Sequence, residues 1–231
     1  MASAPPASAS VRAGLSNTQI AVETIKRLIL ENELPAGSNH LESELANKLG
    51  MSRTPIREAT LILEAQGLLQ VKPRHGVKIL ALSSDDMAEI YQILTSLESL
   101  SAQLAAEQEL AASDFAIAEQ AIEQMDQALA VEDRESWALA DETFHNELVR
   151  LGGNKRLAAM VNVYNDQVRR ARALTLYLRP NPIQSNDDHR RVLEAIRNKD
   201  PARARGLHEQ HRVQSGLMLV ELLKKYGFHQ V

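Results

Sequence analysis

Apolar residues recur at three- to four-residue spacing over most of this chain, and one short stretch breaks that rhythm. Ala21, Ile25, Leu28 and Ile29 share a helical face, and Ser16 with Gln19 fits a capping box ahead of them. The pattern predicts a helix to about Glu33, where "LPAG" ends it because Pro35 and Gly37 both oppose continuation. A short helix over about 42–49 follows, with Leu41, Leu45, Ala46 and Leu49 at helical spacing and Gly50 placed as a positive-φ cap. A third helix begins after "MS" and ends before Gly67, with Ile56, Ala59 and Leu63 as its stripe. Two β-type runs, "LLQV" and "GVKIL", are then joined by the turn "KPRHG".

Three helices and a hairpin in this order outline a winged helix-turn-helix. From Ser83 onward the pattern is helical throughout. Six segments are expected, at about 84–110, 113–131, 134–151, 154–178, 185–199 and 201–225. The breaks are "AASD", "VED", "LGGN" and "RPNPIQSN", and Pro201 opens the last helix, where it loses no hydrogen bond. The expected fold is mainly α: an N-terminal winged helix-turn-helix plus a C-terminal all-α six-helix antiparallel bundle. The expected boundaries are a disordered lead-in over 1–15, a DNA-binding domain over 16–82 and a helical domain over 83–231.

Composition supports helix, because aromatics are only 3% while Ala and Leu are abundant. There is no cysteine, so disulfides and thiolate metal sites are excluded and any metal must use His, Asp or Glu. The first residues, "MASAPPASASVRAG", lack the apolar core of a signal peptide. No run of about 18 apolar residues exists, so no membrane span is expected and a cytoplasmic protein is the default.

The net charge of −4 argues against a nucleic-acid binder until its distribution is considered. Residues 1–82 hold nine Lys/Arg against seven Asp/Glu, a net of +2; the rest holds 17 against 23, a net of −6. Between Lys48 and Lys78 there are six cations against Glu58 and Glu64. A basic patch on an acidic chain suits a small nucleic-acid module joined to something else.

The stretch "MSRTPIRE" opens the third helix. A helix N-terminus leaves its first N–H groups free, so Pro55 costs little there. Ser52 or Thr54 can cap it. The same N-terminus attracts anions, phosphate above all. Arg53 and Arg57 are four apart and project from one side, where a guanidinium can pair a guanine edge bidentately. In a helix-turn-helix these N-terminal residues of the second helix enter the major groove. Taken alone, the stretch is also compatible with a capped surface helix carrying two solvated arginines.

The run "LPAGSNHLESELANKLGMSRTPIREATLILEAQGLLQVKPRHGVKI" resembles the DNA-binding domain of GntR-family bacterial transcription regulators over about 17–80. The resemblance implies DNA contacts at the start of the second helix, the start of the recognition helix and the wing tip. In this chain those are Ser43, then Ser52, Arg53, Thr54 and Arg57, then His75 and Gly76. Family members often carry a basic residue where this chain has Ser43, and Arg74 beside the wing glycine is a partial substitute. Gly76 also suits a close backbone approach.

Seven histidines remain to be placed. Asp141 and His145, in "DETFH", are i and i+4 and stack on one helix face, with Phe144 and Leu148 beside it pointing inward. His189 opens the fifth bundle segment and His211 lies midway along the sixth. Three imidazoles and one carboxylate from three helices can meet inside a bundle. Such a set suits zinc, nickel, manganese or iron and leaves positions for a carboxylate ligand. Spacing alone is equally compatible with surface salt links and structural histidines. His40, His75, His208 and His229 are set aside, His208 because it lies three residues from His211.

"LESLSAQLAA", "DETFHNELVRLGGN" and "DDHRRVLEAIRNKDPARARGLHEQH" resemble the FCD (FadR C-terminal domain) subgroup of GntR regulators over about 90–215. Six helical segments rather than seven resemble its VanR-like branch. The resemblance implies that Asp141, His145, His189 and His211 hold a divalent metal. It implies a homodimer on palindromic double-stranded operator DNA, controlled by a small organic acid, and points to a repressor rather than an enzyme. Many members carry an Arg four residues before the Glu of the first effector helix; here that place is Leu94, ahead of Glu98. Arg172, near the stripe of Leu157, Val161, Tyr164 and Val168, is the candidate to replace it in holding the effector. The alternatives are a DNA-binding scaffold whose helical half only dimerises, and a metal-dependent enzyme with an appended DNA module.

Overall fold

The computed structural model describes residues 14–227, so most of the 1–15 lead-in and His229 lie outside the described residues. The described chain forms two compact units, one reaching Ala81 and one beginning at Leu82.

In the first unit, α1 (Asn17–Leu30) is capped by Ser16, whose side chain accepts from the Gln19 N–H while the Gln19 side chain accepts from the Ser16 N–H. It ends three residues before the expected Glu33, because Asn32 turns to a φ of 59°. Helix α2 (Glu42–Leu49) stops at Gly50, left-handed at φ 65°. Helix α3 (Arg53–Ala65) follows after the three residues Gly50, Met51 and Ser52. Ile25, Leu45, Ile56, Leu63, Leu69 and Ile79 are buried together. Each contributes about 1.5–3 kcal/mol by leaving water.

Strands β2 (Leu69–Lys72) and β3 (Gly76–Ile79) form the expected antiparallel hairpin, with Val71 opposite Val77. An unexpected third strand, β1 (Asn39–His40), pairs antiparallel on the other side of β3. Two residues are too few to show a period, so this strand left no mark in the pattern.

The second unit contains, among the described residues, six α-helices: α4 (Ser84–Glu107), α5 (Ala116–Ala130), α6 (Arg134–Leu151), α7 (Lys155–Thr175), α8 (Ile183–Arg197) and α9 (Pro201–Lys225). Short 3₁₀ turns precede α5 (Ala112–Phe115) and follow α7 (Leu176–Leu178). Ser83, Asp133, Asn154 and Asp200 each cap a helix through a side-chain oxygen. Helix α9 packs along α4 and against α8, while α5 packs against α6. The α4–α9 approach is close: a Cβ at Gly216 would lie 2.6 Å from the Tyr91 ring. One cluster is built around Phe144, Leu148, Met125 and Trp137, another around Leu94, Met87, Leu219 and Leu223.

Candidate DNA-facing residues and a buried histidine centre

The start of α3 presents Ser52, Arg53, Thr54 and Arg57 to solvent, while Pro55 and Ile56 turn into the core. Ser52 occupies the N-cap position with extended backbone, but its side chain makes no capping bond. Its hydroxyl and the first N–H groups of α3 therefore remain available to an anion. Glu58, which follows Arg57 in the chain, accepts a hydrogen bond from Thr18 at 2.6 Å. Ser43, in the first turn of α2, is half-buried.

At the wing, Arg74 and His75 are exposed, and Arg74 adopts a φ of 68°. Gly76 has a structural requirement of its own. It sits at φ 81°, and a Cβ there would fall 2.1 Å from the His40 carbonyl oxygen. The glycine is thus needed for β1 to pair with β3, whatever it does toward DNA.

In the helical unit, Asp141, His145, His189 and His211 converge from α6, α8 and α9. Asp141 and His189 are fully buried; His145 and His211 are nearly so. Asp141 Oδ1 lies 3.8 Å from His145 Nε2 and 3.6 Å from His189 Nε2. Those three atoms and His189 Nδ1 are all buried without a hydrogen-bond partner. A buried imidazole with neither nitrogen bonded is costly unless something else meets it. One nitrogen from each of His145, His189 and His211 lies within 4.8 Å of the others, a spacing one ion can bridge.

The surroundings orient these donors. His211 Nδ1 faces Asp188 Oδ2 at 3.4 Å, which directs Nε2 inward. Phe144 stacks on His189 with ring centroids 4.0 Å apart. One turn before His189, Asn186 accepts from Trp137 Nε1 at 2.9 Å and donates to Asp126 at 2.8 Å, fixing the start of α8. Arg172, which the sequence placed only near an apolar stripe, donates to Asp141 Oδ2 and so leaves Oδ1 for the histidines.

His208 must be restored to the centre. It is fully buried, and its Nε2 lies 3.5 Å from His145 Nδ1 and 3.7 Å from Glu98 Oε2. Glu98 Oε2 in turn is 3.1 Å from His145 Nδ1, and its other oxygen pairs with Arg212 at 3.1 Å. Positions 208 and 211 are i and i+3, so both fall on the same inward face of α9. Leu94, by contrast, is fully buried in the apolar cluster.

Burial alone would raise the Asp141 carboxyl, but the charge of Arg172 beside it overcomes that and holds the group well below the usual carboxylate range. Burial pushes His145, His189 and His208 well below the usual imidazole value, so they are neutral, with lone pairs to share. One carboxylate and neutral imidazoles form a donor set for a borderline divalent ion.

A family model described as "Bacterial regulatory proteins, gntR family" matches residues 17–79, and one described as "FCD domain" matches residues 89–214. The chain belongs to the GntR family, in its FCD group. This GntR-family protein is 40% identical over 131 residues to an "Uncharacterized HTH-type transcriptional regulator in the TAR-I ttuE-ttuC' intergenic region" of Agrobacterium vitis, covering 56% of this chain and 77% of that one. It is 31% identical over 183 residues to the uncharacterized HTH-type transcriptional regulator YdhC of Bacillus subtilis, covering 78% and 81%. Its fold matches that of E. coli McbR/YncC with a TM-score of 0.71 at 24% identity, over 90% of this chain and 99% of that one. It is a DNA-binding transcriptional regulator. No helix of the described residues is long and apolar enough to cross a membrane.

Proposed function

We propose that this regulator is a metal-dependent sensor of a small organic acid, acting as a cytoplasmic homodimeric repressor. Asp141, His145, His189 and His211 would hold the divalent ion. The observation that carries the reading is the convergence of buried, unbonded Asp141 Oδ1, His145 Nε2 and both nitrogens of His189. Bound there, a zinc, nickel, manganese or iron ion supplies positive charge and open positions for a carboxylate. Arg172 fixes Asp141 and borders two cavities beside the centre, so it serves both the site and an incoming acid.

Ser52, Arg53, Thr54 and Arg57 would enter the major groove, with Ser43 at the backbone and Arg74, His75 and Gly76 at the wing. A dimer places two such helices in half-sites of fixed spacing, so an effector that alters their spacing weakens binding. Selection from randomised duplexes tests the whole reading. It should recover a palindrome whose affinity falls when an organic acid is added, and only while metal is present. A palindrome whose affinity is indifferent to metal and acids would favour a scaffold whose helical half only dimerises.

A further inference from the structure

We propose that the effector carries two acidic groups on a short carbon chain, and that Arg179, assisted by Arg134, receives the group farther from the histidine centre. This rests on the metal-and-acid reading above. Two cavities of ≈ 200 Å³ flank the centre and share Arg172 and Leu176 in their walls. Their charges differ. The cavity reaching Glu98 and His145 is balanced, with three glutamates facing three arginines. Glu98 pairs with Arg212 at 3.1 Å and Glu142 with Arg169 at 3.6 Å. An anion entering there would have to break pairs already made.

The cavity reaching His211 is lined by Arg134, Arg172 and Arg179 against the single carboxylate of Asp188. Asp188 is already engaged by Gln184, His211 and Arg191. Arg172 is paired with Asp141. Arg179 and Arg134 have no carboxylate partner among the described residues. Their contacts are neutral: Arg179 Nε and Nη2 donate to Thr175 Oγ1 at 3.1 and 2.7 Å. Arg134 Nη1 donates to the carbonyls of Leu176 and Arg179 at 3.1 and 2.6 Å. These bonds hold the guanidinium groups in position without neutralising them. Burial and the charge of Arg172 pull Arg179 down to about 10, the signature of a desolvated cation beside a like charge. An anion placed between Arg179 and the centre would relieve both.

Trp137, Leu176 and Met218 add apolar wall that suits methylene groups. A volume of ≈ 200 Å³ is below that of ordinary drug-sized pockets, which limits the ligand to a compact one. A guanidinium meets a carboxylate bidentately, so a dicarboxylate satisfies both ends of the cavity.

Calorimetry on the zinc-loaded full chain tests this with succinate and glutarate against butyrate and pentanoate. At least one diacid should bind about tenfold or more tighter than the monoacid of equal length. Arg179→Gln should cut that advantage below about threefold while leaving zinc content and monoacid affinity unchanged. Zinc-dependent monoacid binding with no diacid advantage in the wild type would overturn this inference and leave the metal reading standing. No acid binding to the zinc-loaded protein would overturn both. A diacid advantage that survives Arg179→Gln would remove Arg179 from the site. The wild-type comparison decides the ligand class even if that variant does not fold.

Discussion

Arg172 on α7 bonds one oxygen of Asp141 on α6, and the other oxygen faces His145 and His189 with no hydrogen bond of its own. One carboxylate thus joins a fixed cation on one side to a cluster of neutral imidazoles on the other. Arg172→Ala would leave Asp141 buried and unpaired, a change that costs roughly 3–5 kcal/mol. Urea unfolding of metal-free protein should show that loss, and saturating zinc should recover part of it. Equal stability of variant and wild type without metal would contradict the pairing.

Glu98 and His208 contact His145 on the side away from Asp141. Glu98→Gln and His208→Ala should each weaken zinc binding roughly 10–100-fold while leaving the four proposed ligands in place. Zinc competition titrations measure this. Unchanged affinity in both would mean that His145 is oriented by something else.

Metal-free protein should lose stability as pH falls. His145, His189 and His208 have folded values held well below the ordinary 6.5. Below about 6.5 the unfolded chain therefore binds protons that the folded chain refuses, and the equilibrium shifts toward unfolding. Denaturation midpoints between pH 7.5 and about 5 should fall steadily, and replacing His208 with an apolar residue should flatten the slope. A slope that is flat in the wild type would contradict the burial of neutral imidazoles.

Arg53→Ala or Arg57→Ala should each cost roughly 1–3 kcal/mol of operator affinity and relax base preference if it removes a base contact. Anisotropy titrations with operator and scrambled duplexes separate the two effects. If both variants bind like wild type, α3 is not the recognition helix.

Gly76→Ala should destabilise the first unit by about 1–3 kcal/mol through strain at positive φ and collision with the His40 carbonyl. An unchanged melting transition would show that β1 can give way cheaply.

The legible parts of this chain were those that repeat. Ile25, Ile56 and Leu63 announced the first unit through spacing, and Asp141 with His145 announced a shared helix face. What the pattern concealed were pairings between distant segments. Nothing in "NH" at 39–40 shows that it will pair with β3, and nothing near Arg172 shows that its partner is 31 residues away. His208 shows the same limit for a physical reason. Its closeness to His211 suggested redundancy, but α9 packs against both α4 and α8 and buries both residues. Glu98, a charge on a helix face otherwise bound for the core, was the signal that could have pointed to it.

Three imidazoles and one carboxylate are proposed to hold a metal ion. Elemental analysis of the purified full chain beside its His189→Ala variant tests it most directly. About one divalent ion per chain in the wild type and a large deficit in the folded variant is the predicted result. No ion in the wild type after incubation with zinc or nickel, or equal content in both proteins, would contradict it.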